Sequence, residues 1–339
     1  MRYCERAPKL SGHAHVFVWR TLMISLLRAK PLVAAAFIHL PMAAGTTTPS
    51  VRPSHPPQGK STSAAATDSL LLTPAQLRAR MARGGVVLLH IGERADYNAG
   101  HIPGARFLPY DAISTPRGDG LALELPAVAK LDSVFESVGV ADSSRIVLYW
   151  TKGWYSPTTR VFLTLDYVGL GDRTAILDGG YSAWTESGGA VTTDVPPPVR
   201  GSLTTRPRPA IIVDAKTVRG AIGDARTAII DARDARFYTG EATGMHVREG
   251  HVPSAKNLPF TTLLDDRGSF RSRDELTSML ATVGATPGKR IIAYCHIGQQ
   301  ATVLYFAARL LGRDATLYDG SWDDWSRRSD LPVAVGASR

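Results

Sequence analysis

The chain has 339 residues, 44% of them apolar, which is enough for two domains of ordinary size, each with its own core. Its formal net charge is +9, but +7 of that falls in residues 1–60, where eight Lys and Arg face Glu5 alone. The rest of the chain is nearly neutral, so a nucleic-acid partner loses its main support.

Residues 1–45 read as an export signal. Met23–Lys30 is a basic start, Leu32–Leu40 is apolar, and Ala43, Ala44 and Gly45 are small. Met23 is a more conventional start than Met1. Pro31, His39 and Pro41 leave the apolar run too short and interrupted to span a bilayer. The rival reading of this stretch is a disordered extension. Residues 46–67, rich in Thr, Pro, Ser and Ala, read as a flexible linker. The mature protein is therefore expected to be exported, to the periplasm, and to be a monomer. The two cysteines are Cys4 and Cys295. Processing removes the first, so no internal disulfide is possible and a metal would find one thiolate. No metal or organic cofactor is expected.

From Leu70 onward one pattern occurs twice. The first copy has a strand at Val86–Ile91, a turn-rich stretch around His101, a strand at Arg145–Tyr149 and the run Asp178–Trp184. The second has a strand at Ala228–Asp231, a turn around His251, a strand at Arg290–Tyr294 and the run Asp319–Trp325. Helical stretches alternate with these strands: 74–83, 130–138 and 159–168, then 215–222, 273–283 and 301–311. That alternation predicts α/β architecture, a mostly parallel sheet flanked by helices, built twice. The copies are placed at 68–194 and 211–339, with the Pro- and Arg-rich segment 195–210 between them.

The second copy carries the chemistry. Between the strand 290–294 and the apolar helix from Ala301 lie Cys295, His296, Ile297, Gly298, Gln299 and Gln300. A tight loop entering a helix turns successive backbone N–H groups inward, and the helix dipole adds positive potential. Such a cradle is expected to lower a thiol pKa that is about 8.5 in free cysteine. Gly298 supplies the positive φ so short a loop needs. A small apolar Cys ending a core strand is the plain reading, but the strand–loop–helix corner makes Cys295 a nucleophile. In the first copy Trp150 holds the corresponding place, which leaves that copy catalytically silent, its part being to stabilise the second and to wall a shared cleft.

These residues together resemble the tandem-domain rhodanese family of sulfurtransferases, thiosulfate or 3-mercaptopyruvate sulfurtransferase-like. Tyr97-x-x-x-His101-Ile-Pro-Gly-Ala105 is similar to that family's first-domain motif. Tyr318-Asp-Gly-Ser-Trp322-Asp-Asp-Trp325 is similar to its C-terminal motif, with Asp324 where the family usually has Glu. The resemblance implies two rhodanese-like domains, the second active through a cysteine persulfide. It implies Arg236 as the substrate-anion arginine, at a spacing one residue short, with Arg233 as the fallback; Arg248 does not match the second arginine of the mercaptopyruvate branch. His296 and Ile297 match neither the basic residues usual in thiosulfate enzymes nor the Gly and Ser/Thr of the mercaptopyruvate branch. His101 and His90 are taken as structural.

The expected reaction is a ping-pong transfer of sulfane sulfur from a small-molecule donor, thiosulfate first, through Cys295 to cyanide or a thiol. Backbone N–H groups of 296–301, Ala301 included, are expected to hold the outer sulfur. Arg236 is expected to attract the donor anion, His296 to add positive charge in acid, and Gln299 and Gln300 to reach sulfonate oxygens. The alternatives are a 3-mercaptopyruvate sulfurtransferase and a non-catalytic persulfide carrier or sensor in the cell envelope. A cysteine phosphatase needs an arginine at the end of the loop, where this chain has Ala301.

Overall fold

A computed structural model describes residues 69–116 and 120–337. The export signal and the linker expected over 1–45 and 46–67 lie outside the described residues. Among the described residues no helix is long and apolar enough to cross a membrane.

The first repeat runs β1 (Leu71–Leu72), α1 (Pro74–Arg83), β2 (Val86–Ile91), α2 (Arg94–Ala99), β3 (Arg106–Phe107), α3 (Val128–Ser137), β4 (Arg145–Trp150), α4 (Tyr155–Tyr167), β5 (Thr174–Leu177) and α5 (Gly180–Glu186). The second runs β6 (Ile212–Val213), α6 (Ala215–Ala221), β7 (Thr227–Asp231), α7 (Ala235–Thr239), β8 (Lys256–Asn257), α8 (Arg273–Thr282), β9 (Arg290–Tyr294), α9 (Ala301–Leu310), β10 (Ala315–Tyr318) and α10 (Ser321–Arg327). Each repeat builds a five-stranded parallel sheet, in the orders β1-β5-β4-β2-β3 and β6-β10-β9-β7-β8. The two tandem α/β units are those the alternation predicted.

Local signals explain most of the boundaries. Thr73 caps α1 with Gln76 and Pro74 opens it, and Ser272 with Glu275 caps α8 in the same reciprocal way. The central strands β4 and β9 are buried after their first residue, the pattern of a parallel sheet covered on both faces. α4 begins at Tyr155, four residues before the expected start, because Pro157 falls in the first turn, where its missing N–H leaves no bond unmade. α3 begins at Val128 rather than Lys130.

The segment expected as a linker over 195–210 is strapped to the first repeat. Gly201 N–H donates to the Glu136 carbonyl (2.8 Å) and Arg208 N–H to that of Tyr167 (2.7 Å). The Glu136 carboxylate accepts from Leu203 N–H, and that of Asp142 from Thr204 N–H. A Cβ at position 201 would lie 1.8 Å from the Val140 carbonyl oxygen, so only glycine fits there.

α4 and α9 join the two sheets. Phe162 and Phe306 meet edge to face at 4.8 Å, a contact worth about 0.5–1.5 kcal/mol beyond its area. The Thr159 and Thr302 hydroxyls pair at 2.8 Å. Buried Asp166 accepts from Tyr305 (2.6 Å) and Arg309 (2.8 Å), and also from Arg208. One hydrophobic cluster runs through both repeats here. Each of these helices follows the loop that leaves a central strand, β4 or β9. Loops at the carboxyl ends of parallel strands are where open α/β sheets bind ligands.

Candidate active site

Cys295 follows the last residue of β9 and is 0% exposed. Its sulfur faces the backbone N–H groups of Ala301, Ile297, Gln300 and Gly298. The expected cradle is present, but its expected effect on the resting thiol is reversed: burial pushes the Cys295 thiol up, and the four amides oppose that shift without cancelling it. The sequence shows the loop and hides how deeply it is covered. Gly298 sits at φ +79°, and a Cβ there would lie 2.5 Å from the Asp319 carbonyl oxygen.

Two arginines place positive charge near the sulfur, and neither is Arg236. The Arg236 side chain is 70% exposed and its Nε rests on Asp234. The spacing puts it on the outer side of the short helix α7. Arg233, the fallback, is fully buried and doubly bonded to Asp231, with Nη2 also on the Gly250 carbonyl (2.6 Å) and the guanidinium 4.7 Å from the Trp322 ring. Its Nη1 has no partner among the described residues. Cys295 is among the groups whose charge bears on Arg233. Arg248 spends its guanidinium on the carbonyls of Ser326, Leu331, Trp325 and Arg328, so it is a clamp on the C-terminal turn.

The second arginine, Arg160, comes from the first repeat. It is buried in α4, pairs with Asp319, donates Nη2 to the Leu123 carbonyl and points Nη1 at the Gly298 carbonyl (3.4 Å). Cys295 also lies within its field. Sequence reasoning missed it, although a lone cation in the buried stretch Ser156–Asp166 was a readable signal.

Gln299 is likewise committed across the repeats: Oε1 accepts from the Tyr110 hydroxyl (2.8 Å) and Nε2 donates to Ser156 Oγ (3.2 Å). Its amide therefore fixes the loop and is not left for sulfonate oxygens. Gln300 keeps a buried Oε1 without a partner among the described residues. Ile297, His296, Gln299 and Gln300 line a cleft of about 680 Å³ with Met245, His246, Asp323, Arg327 and, from the first repeat, Gly120 and Ala122. The shared cleft anticipated from the sequence is thus formed.

His296 contributes no charge near neutrality. Burial, then Arg233 and His246, push its pKa down to about 4. Its Nδ1 lies 2.8 Å from Nε2 of His246, a residue that carried no sequence signal. His101 and His90 are both buried in the first repeat. His101 stacks on Tyr97 at 3.9 Å and bonds the carbonyls of Tyr97 and Asp194. His90 is buried against Tyr149. At the end of β4, Trp150 is 4% exposed and fills the place of the cysteine. Among the described residues no group of three or more His, Cys, Asp or Glu is placed to hold a metal ion.

Comparison with known proteins agrees with this geometry. The rhodanese-like domain family matches residues 73–187 and again 214–328. A thiosulfate sulfurtransferase of Azotobacter vinelandii is 30% identical over 271 residues, covering 78% of this chain and 97% of its own. The Pseudomonas aeruginosa protein named probable 3-mercaptopyruvate sulfurtransferase is 31% identical over 280 residues, covering 78% of this chain and 98% of its own. The crystal structure of an anaerobic ergothioneine biosynthesis enzyme from Chlorobium limicola superposes with a TM-score of 0.70 at 22% identity, over 79% of this chain and 71% of that one, and shares the fold. With two matched domains and relatives aligned along nearly their whole length, the chain belongs to the rhodanese-like family as a tandem-domain sulfurtransferase.

Proposed function

We propose that the protein moves sulfane sulfur from thiosulfate to a thiophilic acceptor through a persulfide on Cys295. The observation that carries this reading is the set of four backbone N–H groups facing a buried sulfur in a loop held from both repeats. Sγ, as thiolate, attacks the outer sulfur of thiosulfate; the S–S bond to the sulfonate breaks and sulfite leaves. The persulfide's outer sulfur then holds the negative charge, and preorganised amides stabilise it without reorganising. Arg233 and Arg160 supply the positive potential that draws a dianion to a buried thiol, and the free Nη1 of Arg233 is a donor in reserve.

Thiosulfate is favoured over mercaptopyruvate because Ile297 offers no hydroxyl and Arg248 no free guanidinium to a carboxylate. An unmet polar group on a buried substrate costs about 1–3 kcal/mol, or roughly tenfold to a hundredfold in rate. Steady-state turnover of thiosulfate with cyanide, against mercaptopyruvate with a thiol, is expected to give the higher kcat/KM for thiosulfate. A tenfold preference for mercaptopyruvate near neutral pH would overturn that choice of donor. The nucleophile is tested separately. After treatment with donor, intact mass is expected to show one added sulfur on the wild type and none on Cys295→Ser, and a Cys295→Ser variant with full activity would sink the persulfide reading. Export to the periplasm, proposed from residues 1–45, is tested by sequencing the N-terminus of the exported protein; a start near Thr46 supports it, and a start at Met1 refutes it.

A further inference from the structure

The histidine pair at the mouth of the cleft is not used by the reaction as described so far. Nδ1 of His296 and Nε2 of His246 lie 2.8 Å apart, with the rings nearly parallel at 5.1 Å between centroids. Phe237 packs edge-on against His296 at 4.6 Å and holds that ring in place. Both histidines line the cleft beside Ile297 and Gln300.

One proton sits in the bond between the two rings, and its position decides what His296 offers to the cleft. If His246 donates, His296 Nε2 carries a hydrogen and can only donate. If His296 Nδ1–H donates, His296 Nε2 keeps a free lone pair, and His246 carries its hydrogen on Nδ1. The surroundings select the second arrangement. His246 Nδ1 is buried without a partner among the described residues, and so is Glu249 Oε2 three residues along the same loop. The carboxylates of Asp323 and Glu249 both favour positive charge on His246. Arg233 opposes positive charge there more than either carboxylate favours it, and Arg327, paired with Asp323, opposes it as well. Asp231 also favours charge on His296, against Arg233 and His246. A hydrogen on Nδ1 of His246 supplies a donor on the loop where Glu249 Oε2 lacks one, and it leaves the lone pair of His296 Nε2 for the cleft.

We propose that His296, oriented by His246, is the general base that takes the proton of an incoming thiol acceptor; the inference rests on the persulfide reading above. The thiol S–H proton passes to His296 Nε2. The thiolate sulfur bonds to the outer sulfur of the persulfide, and the S–S bond to Cys295 breaks, its electron pair remaining on Sγ among the four amides. A new persulfide leaves with the acceptor, and His296 releases the proton to solvent in the cleft. No oxidant or reductant is consumed, since one S–S bond replaces another. The imidazolium formed in passing keeps its Nδ1–H bond to His246; burial, Arg233 and His246 oppose its charge, while Asp231 and the anionic persulfide in the same loop favour it. The acceptor class this selects is a thiol still protonated near neutral pH.

The test uses the full-length protein, loaded to persulfide with thiosulfate and verified by intact mass. Discharge is then followed near pH 7 with 2-mercaptoethanol, which is protonated there, and with 2-nitro-5-thiobenzoate, which is already ionised. General-base assistance is typically worth about 10²–10⁴, and only the first thiol needs it. His296→Gln is expected to slow 2-mercaptoethanol at least tenfold more than 2-nitro-5-thiobenzoate. His246→Leu is expected to give a smaller loss with the same selectivity. Equal losses with both thiols, or none, would overturn the proposal while leaving the persulfide reading intact. A wild type that takes up no sulfur would overturn both.

Discussion

Replacing Arg160 by Met tests the claim that the first repeat holds the Cys295 loop. The Arg160 side chain is 0% exposed and its partner Asp319 only 9%. Its other hydrogen bonds go to the carbonyls of Leu123 and Gly298. Removing one partner of a buried ion pair typically costs about 3–5 kcal/mol, because the charge left behind stays out of water. Met fills much of the vacated volume, so little cavity cost is added. Urea unfolding is therefore expected to show a loss of about 3–5 kcal/mol, against about 1 kcal/mol or less for Arg208→Met, whose side chain is 41% exposed and whose partner Asp166 keeps Tyr305 and Arg309. The double variant Arg160→Met/Asp319→Asn is expected to lose less than the sum of its singles, since the uncompensated carboxylate is gone. Turnover with thiosulfate should fall in Arg160→Met, because the Gly298 carbonyl and its neighbouring amides lose a fixed anchor. A loss under about 1 kcal/mol with unchanged kcat would refute the reasoning.

Gly298→Ala forces an L side chain into positive φ and within 2.5 Å of the Asp319 carbonyl oxygen; at least about a tenfold loss of sulfur transfer is expected, and activity within twofold of wild type would contradict it. Arg236→Ala is expected to leave the KM for thiosulfate within about twofold, while Arg233→Met raises it at least about tenfold, a difference of about 1.4 kcal/mol; the reverse order would restore Arg236 as the anion site. Burial pushes His90 down to about 4, so between about pH 6.5 and 4 the unfolded chain binds the proton that the folded one refuses. Stability is therefore lost as pH falls through that window, by at most about 3 kcal/mol. His90→Asn should flatten that part of the stability profile measured by urea unfolding, and an unchanged slope would count against it.

The repeat was legible because its signals are local. The runs Arg145–Tyr149 and Arg290–Tyr294 announce central strands, and both lie in the middle of five-stranded sheets. The places of Cys295, Gly298 and Trp150 were legible for the same reason: each follows from a strand–loop–helix corner. Which arginine turns inward was not, because Arg233 and Arg236 lie three residues apart across the turn from β7 into α7, and only the packing of Trp322 and the Asp231 carboxylate decides it. Gln299 was misjudged for a different reason. Its partners Tyr110 and Ser156 lie far back in the chain, and no periodicity reports a contact across that distance. The resting state of Cys295 depends on two opposed effects, amide donation and burial, and the sequence displays the first alone.

The cross-repeat contacts also explain why a copy without a nucleophile is held so firmly against the other. Asp319, in the second repeat, accepts from Leu125 N–H of the first (3.2 Å). Asp178, in the matching place of the first repeat, accepts from Phe270 N–H of the second (3.0 Å). Each repeat thus lends a backbone donor to the carboxylate that follows the other's last strand, a near-symmetric exchange. The symmetry breaks at the central loops. In the first repeat Trp150 occupies the corner and Gly180 passes so close that a Cβ would lie 2.8 Å from its ring. In the second the corner holds a small thiol, and the load of fixing the loop passes to Arg160, Tyr110 and Ser156 from outside. A loop that must present four amides to a buried sulfur cannot also fill its own centre with side chains. Rigidity has to come from a neighbour, and the neighbour best placed to give it is the copy whose own centre is filled.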